Sequence, residues 1–71
     1  MKAPNGVELV VGQKWRDNYP YSNGYVRTVT IVTLLPDEAK VQIVSDRGAT
    51  TKALVRRFND TRGGYTLVEG A

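Results

Sequence analysis

The sequence predicts a small all-β domain, and three observations lead there. The chain has only 71 residues, β-branched residues with period two crowd its middle, and histidine and cysteine are both absent. A chain of this length forms one domain, burying about 60% of the surface it exposes when unfolded. Its hydrophobic fraction of 41% is enough for one compact core and too high for a disordered chain.

The elements follow in order. Val7–Val11 and Gln13–Arg16 read as strand pieces separated by Gly12. Asp17–Gly24 is a long irregular loop containing the turn pair Asn23-Gly24. Tyr25–Leu35 is the longest patterned run: Thr28 and Thr30 alternate with Val29 and Ile31, the period of a half-buried strand. Past Ile31 the alternation blurs, the mark of a bulge or a strong bend. Pro36–Ala39 is a turn, and Lys40–Ser45 alternates again with Val41 and Ile43 on one face, so the two runs form a hairpin. Asp46–Ala49 is the next turn, with Gly48 free to take positive φ. Thr50–Val55 returns as a third strand. Arg56–Asn59 is too short for an α-helix and suits one 3₁₀ turn. Asp60–Gly64 is a loop, and Tyr65–Val68 a short last strand. The expected core is Trp15, Val29, Ile31, Val41, Ile43, Leu54, Phe58 and Leu67. Residues 1–6 and 69–71 are expected as flexible tails around a single domain spanning 7–68.

This order of strand, long loop, hairpin, third strand, 3₁₀ turn and short last strand resembles the SH3-like barrel. The resemblance covers residues 7–68 and implies a five-stranded barrel with one 3₁₀ turn before the last strand. The peptide-binding members carry an acidic first loop and a Trp-led hairpin turn. Here the loop holds only Asp17, and the sole tryptophan, Trp15, lies in the first strand. The stretch Gly12-Gln13-Lys14-Trp15-Arg16-Asp17, with a basic segment before Gly64-Tyr65, is also similar to short uncharacterised proteins of actinobacteria and their phages. No known activity comes with that second likeness, and fold alone does not imply function.

Catalysis has little to work with. Nucleophilic catalysis on serine or threonine usually needs a neighbouring base, and there is no histidine. Asp37 and Glu38 are adjacent in an exposed turn and read as solvated residues, not an acid/base pair. Neutral imidazole and thiolate ligands are both missing, and the seven acids are scattered, so neither a metal site nor a cofactor is expected. Gly63-Gly64 opens no phosphate loop. Asn59-Asp60-Thr61 matches a glycosylation pattern that reads as chance. The expectation is a non-enzyme. The first residues contain no apolar h-region, and no apolar run approaches a membrane span; with cysteine absent, a cytoplasmic setting fits.

Charge is more informative by position than in total. The net charge is +3, but Arg47–Arg62 carries Arg47, Lys52, Arg56, Arg57 and Arg62 against Asp60 alone, a local +4, whereas Asp37–Asp46 is −2. Alternation places Lys52 and Arg56 on one strand face, provided the strand runs that far. Guanidinium groups fork onto phosphate oxygens, so this segment is a candidate nucleic-acid surface. The competing reading is a solubilising rim that keeps a sheet edge from pairing. A second candidate is the loop Asn18–Tyr25, whose Tyr, Asn, Ser and Gly suit recognition, although its rings could equally cap the barrel. The candidate contacts are Lys52, Arg56, Arg57 and Arg62 for phosphates, with Tyr19, Tyr21 and Tyr25 for stacking or partner binding. Two functions compete: a nucleic-acid-binding barrel, or a protein-interaction module such as a phage product that binds a host protein. A monomer or weak homodimer is expected.

Overall fold

The computed structural model describes residues 1–71. Its strands are β1 (Lys14–Asp17), β2 (Thr28–Leu35), β3 (Lys40–Ser45), β4 (Thr50–Leu54) and β5 (Tyr65–Glu69), and there is no α-helix. No helix is therefore long and apolar enough to cross a membrane. All pairings are antiparallel, in one five-stranded sheet ordered β4-β3-β2-β1-β5. The hydrogen-bonded ladder does not close on itself: β4 and β5 are its two edges.

β2 is the element that shapes the sheet. Its first residues, Thr28–Thr30, pair with β1, while Val29–Leu35 pair with β3. Between Ile31 and Thr33 the register shifts, so Val32 is the extra residue where the sequence alternation blurs. A bulge at this point bends and twists the strand, letting one strand serve neighbours at both ends.

The turns keep their backbone groups satisfied. Pro36–Glu38 is itself a 3₁₀ turn, an addition to the single one expected from sequence. It ends at Ala39 in the left-handed region (φ 52°), whose N–H reaches the Pro36 carbonyl at 3.1 Å. The β3–β4 turn uses Gly48 at φ 86°, and the Ser45 hydroxyl accepts the N–H groups of Arg47 and Ala49. The second 3₁₀ turn, Val55–Arg57, starts where the barrel resemblance puts its start, one residue before the Arg56–Asn59 read from the residues, and follows β4 directly.

One core sits beneath the sheet. Trp15, Val29, Ile31, Val41, Ile43 and Phe58 are buried as expected, and Leu54 and Leu67 are only half-buried. Ala53 is buried in place of Leu54, because Val41 and Ala53 are register partners across β3 and β4. Leu54 stands opposite Lys40 and so points the other way. Phe58 links the other aromatics: Trp15 meets it edge-on with centroids 4.9 Å apart, and Tyr65 stacks on it at 4.8 Å. Such pairs each contribute about 1 kcal/mol beyond the area they bury.

Residues 1–6 are not a tail. Lys2 and Glu8 form an isolated antiparallel bridge, Ala3 and Val7 are joined by a backbone hydrogen bond at 2.8 Å, and Leu9 bonds back to Met1 at 2.8 Å. This small hairpin turns through Asn5 and Gly6 and delivers Ala3 and Leu9 into the core. Val7–Val11 forms no longer strand than this bridge, and the Tyr25–Leu35 run becomes a strand only from Thr28. Gln13, buried beside Trp15, ties the join: its Oε1 accepts from Val10 N–H and Trp15 Nε1, and its Nε2 donates to the Glu8 carbonyl.

Gly64 is the tightest backbone position. A Cβ there would overlap the Asn59 side-chain oxygen and the Arg57 carbonyl oxygen. Gly64→Ala is expected to destabilise the domain by roughly 2–4 kcal/mol, read as a fall in the chemical denaturation midpoint at unchanged m-value.

Candidate functional site

The end of β1 organises the long β1–β2 loop. Strand alternation puts Gln13, Trp15 and Asp17 on the same, inward face, and the Asp17 side chain is only 5% exposed. A carboxylate taken out of water needs donors on its oxygens, and the loop supplies them. Oδ1 accepts the Tyr19 N–H at 3.0 Å. Oδ2 accepts the Tyr21 hydroxyl at 3.1 Å and a guanidinium nitrogen of Arg27 at 3.3 Å. The same Arg27 nitrogen donates to the Tyr65 hydroxyl at 3.3 Å, tying the loop to β5. Burial works against the Arg27 charge, but the Tyr65 hydroxyl and the Asp17 carboxylate outweigh it and push its pKa up.

Three tyrosine rings line up on this base. Tyr19 meets Tyr21 edge-on at 4.8 Å, and Tyr21 leans on Tyr25 at 5.5 Å. The Tyr25 hydroxyl donates to Asp46 at 2.5 Å, and the Arg47 guanidinium stands 4.3 Å above the Tyr25 ring. The β3–β4 turn thus clamps the far end of the row. Tyr21 is anchored and half-buried, whereas Tyr19 is 58% exposed and its hydroxyl has no partner in the fold.

Two hollows flank the Tyr19–Pro20 ridge. One, about 410 Å³, lies between Arg16 and the tyrosine row. The other, about 480 Å³, is a shallow cleft between Tyr19–Pro20 and Arg62–Gly63. Polar groups around the first are already engaged: Asp17 as above, and Asn18 with Arg16, Thr61 and Thr66. It offers ring faces and a proline edge to a ligand, with few open hydrogen-bonding positions.

The predicted basic set divides. Lys52 is on the edge strand β4, ion-paired to Glu38 at 3.0 Å. Arg57 donates twice to the Gly63 carbonyl, at 3.2 and 2.9 Å, and lies 4.9 Å over the Tyr65 ring, so it braces the last loop. Arg56 and Arg62 are exposed and make no internal ion pair or side-chain hydrogen bond, and only Arg62 borders a hollow. The shared face expected for Lys52 and Arg56 does not form, because β4 ends at Leu54 and Arg56 falls in the 3₁₀ turn. Arg16, Arg27 and Arg47 border or hold the tyrosine row; none was among the candidate contacts, although Arg47 was counted in the basic run. A signal for Arg27 was present: Asp17 is in phase with the core residue Trp15, and an inward carboxylate calls for a cation.

Elsewhere, no three acidic side chains converge as a metal site. Asn59, of the glycosylation pattern, is occupied as a loop brace: Nδ2 donates to the Arg56 carbonyl, and Oδ1 accepts from the Thr61 N–H and hydroxyl. No protein-family model, curated protein or solved structure shows a significant match to the chain.

Two phenols of the row are held neutral by burial together with their carboxylate partners. Burial and then the bond to Asp17 raise the Tyr21 pKa above its ordinary 10.0. The bond to Asp46, followed by burial, does the same for Tyr25. A raised folded pKa means that this stabilisation is complete below pH 10.0 and is lost as pH rises through the folded value. Residue-resolved NMR titration is expected to place both ionisations above 10.0, and Asp46→Asn to bring Tyr25 down while leaving Tyr21 late.

Proposed function

We propose that this chain is a non-catalytic binding module on an SH3-like barrel, and that its ligand is single-stranded nucleic acid bound without sharp sequence preference. The barrel reading is supported by the strand order β4-β3-β2-β1-β5, the bulged β2 shared between neighbours and the 3₁₀ turn between β4 and β5. The observation that carries the ligand reading is the exposed Tyr19 ring facing the unpaired Arg62 across an open cleft. A base stacks on an aromatic face whatever its identity, and a guanidinium takes the adjoining phosphate. The satisfied polar groups of the neighbouring hollow leave little for base-edge readout, in keeping with a sequence-tolerant site.

Within this proposal the contact set is redrawn around the ridge. Arg62 stays, Arg16 and Arg47 join it, and Tyr19 is the stacking ring. Tyr21 and Tyr25 support it from behind. Lys52 and Arg57 serve structural partners, and Arg56 supplies general positive field. A cytoplasmic monomer is the simplest form in which such a module acts.

One feature favours a second reading. Tyr21 and Tyr25 are fixed by Asp17 and Asp46, and a rigid, amphipathic tyrosine face of this kind also suits a protein partner.

Fluorescence anisotropy with labelled oligo(dT) and oligo(U) separates the two. With three arginines engaged, log K against log salt is expected to fall with a slope of about −2, and Arg62→Ala to flatten it by about 0.7. Tyr19→Ala is expected to weaken binding about tenfold at every salt concentration. Absence of binding at low salt, or indifference to both variants, would sink the nucleic-acid reading and turn attention to a protein partner.

A further inference from the structure

The chain has four asparagines, and two of them, Asn5 and Asn23, precede glycine. Three of the four have their amide nitrogen held. Asn18 Nδ2 donates to the Thr61 carbonyl and the Thr66 hydroxyl, Asn59 Nδ2 to the Arg56 carbonyl, and Asn5 Nδ2 to Asp60 at 3.2 Å. Asn23 Nδ2 has no partner, and Asn23 is exposed at the tip of the tyrosine loop. Its Oδ1, by contrast, accepts the Tyr25 N–H at 2.9 Å.

We infer that Asn23 is a site of spontaneous covalent modification, converting with water to aspartyl and isoaspartyl residues and so placing a negative charge on the proposed binding face.

The chemistry is an intramolecular acyl transfer. The Gly24 backbone nitrogen, having lost its proton to solvent base, attacks Cγ of Asn23 and forms a new C–N bond. The Tyr25 N–H already directed at Oδ1 stabilises the oxyanion of that tetrahedral intermediate. The Cγ–Nδ2 bond then breaks, and ammonia leaves with a proton from water. Water opens the resulting five-membered imide at either carbonyl, giving aspartate or isoaspartate. Glycine at position 24 is what makes the attack feasible: it has no side chain, and nothing beyond its two chain neighbours crowds the place where one would begin.

Asn5–Gly6 is the built-in control. It shares the sequence pair and the open glycine, and its Oδ1 also accepts an N–H, that of Val7. It differs in being half-buried and in the bond from Nδ2 to Asp60. The Gly6 N–H is also held more closely, at 2.9 Å to Ala3, than the Gly24 N–H, at 3.2 Å to Tyr21. Asn23 is therefore the faster of the two.

The consequence for binding rests on the nucleic-acid reading proposed above. A carboxylate at position 23 opposes an anionic ligand held by Arg16, Arg47 and Arg62. In the isoaspartyl form the main chain gains a methylene, and the bond that seats Tyr25 is lost. Ageing of the protein would thus lower its affinity.

The test incubates the folded chain at mildly alkaline pH and maps isoaspartate by peptide mass spectrometry. Asn23 is expected to convert about tenfold faster than Asn5, the factor set by one side-chain hydrogen bond that only Asn5 has to break. Asn23→Gln should remove this product and leave the Asn5 rate unchanged. Conversion at Asn5 equal to or ahead of Asn23 overturns the inference. Asn23→Asp, assayed with oligo(dT), is expected to bind about threefold more weakly at low salt, the effect of roughly one screened charge. If Asn23 converts but the fresh protein binds no oligonucleotide, the modification stands and the nucleic-acid reading falls.

Discussion

The structure depends on a carboxylate in a place where carboxylates are costly. Asp17 follows Trp15 at strand spacing and faces inward with it, so its charge must be met inside the protein. Arg27, the Tyr21 hydroxyl and the Tyr19 N–H meet it from one irregular loop. Removing one partner from such a group leaves the other uncompensated, which is why the arrangement behaves as a unit. The loop has no regular secondary structure of its own, and its conformation is set by where these donors must stand. Through Arg27 and Tyr65 the same constraint reaches β5, and through Arg57 it reaches the loop that carries Arg62. The exposed ridge of Tyr19 and Pro20 is held by this chain of contacts from beneath.

Much of the fold was legible because the physical signals were local. Alternation of Val29 and Ile31, then of Val41 and Ile43, marked the central hairpin, and its loss after Ile31 marked the Val32 bulge. The errors came where a nonlocal constraint decides. Leu54 is more hydrophobic than Ala53, yet register against Val41 makes Ala53 the inward residue. Phase outranks hydrophobicity once pairing is set. The first six residues look like a polar tail by composition. Pro4, Asn5 and Gly6 are instead the turn of a hairpin whose apolar residues, Ala3 and Leu9, are too few to signal burial by themselves.

The candidate site was less legible, for an electrostatic reason. A count of cations along the sequence says how much charge is present and nothing about how much is already spent. Lys52 and Arg57 belong to a basic run on paper but are occupied by Glu38 and the Gly63 carbonyl. Arg62, the last residue of that run, is free and stands beside a tyrosine more than forty positions away. The three tyrosines were visible as members of one loop, but which of them is anchored and which is open follows from Asp17 and Asp46. Their proximity is a product of the fold.

The packing of Trp15 carries a practical corollary for spectroscopy. It is the sole tryptophan, has no exposed surface and lies edge-on against Phe58. Its indole nitrogen is bonded to Gln13, itself buried. Its emission maximum therefore reports the integrity of the core, shifting to the red only when the domain opens. Events at the Tyr19 ridge leave that indole dry, so quenching by a small aqueous quencher distinguishes a loosened core from an occupied surface without any added dye.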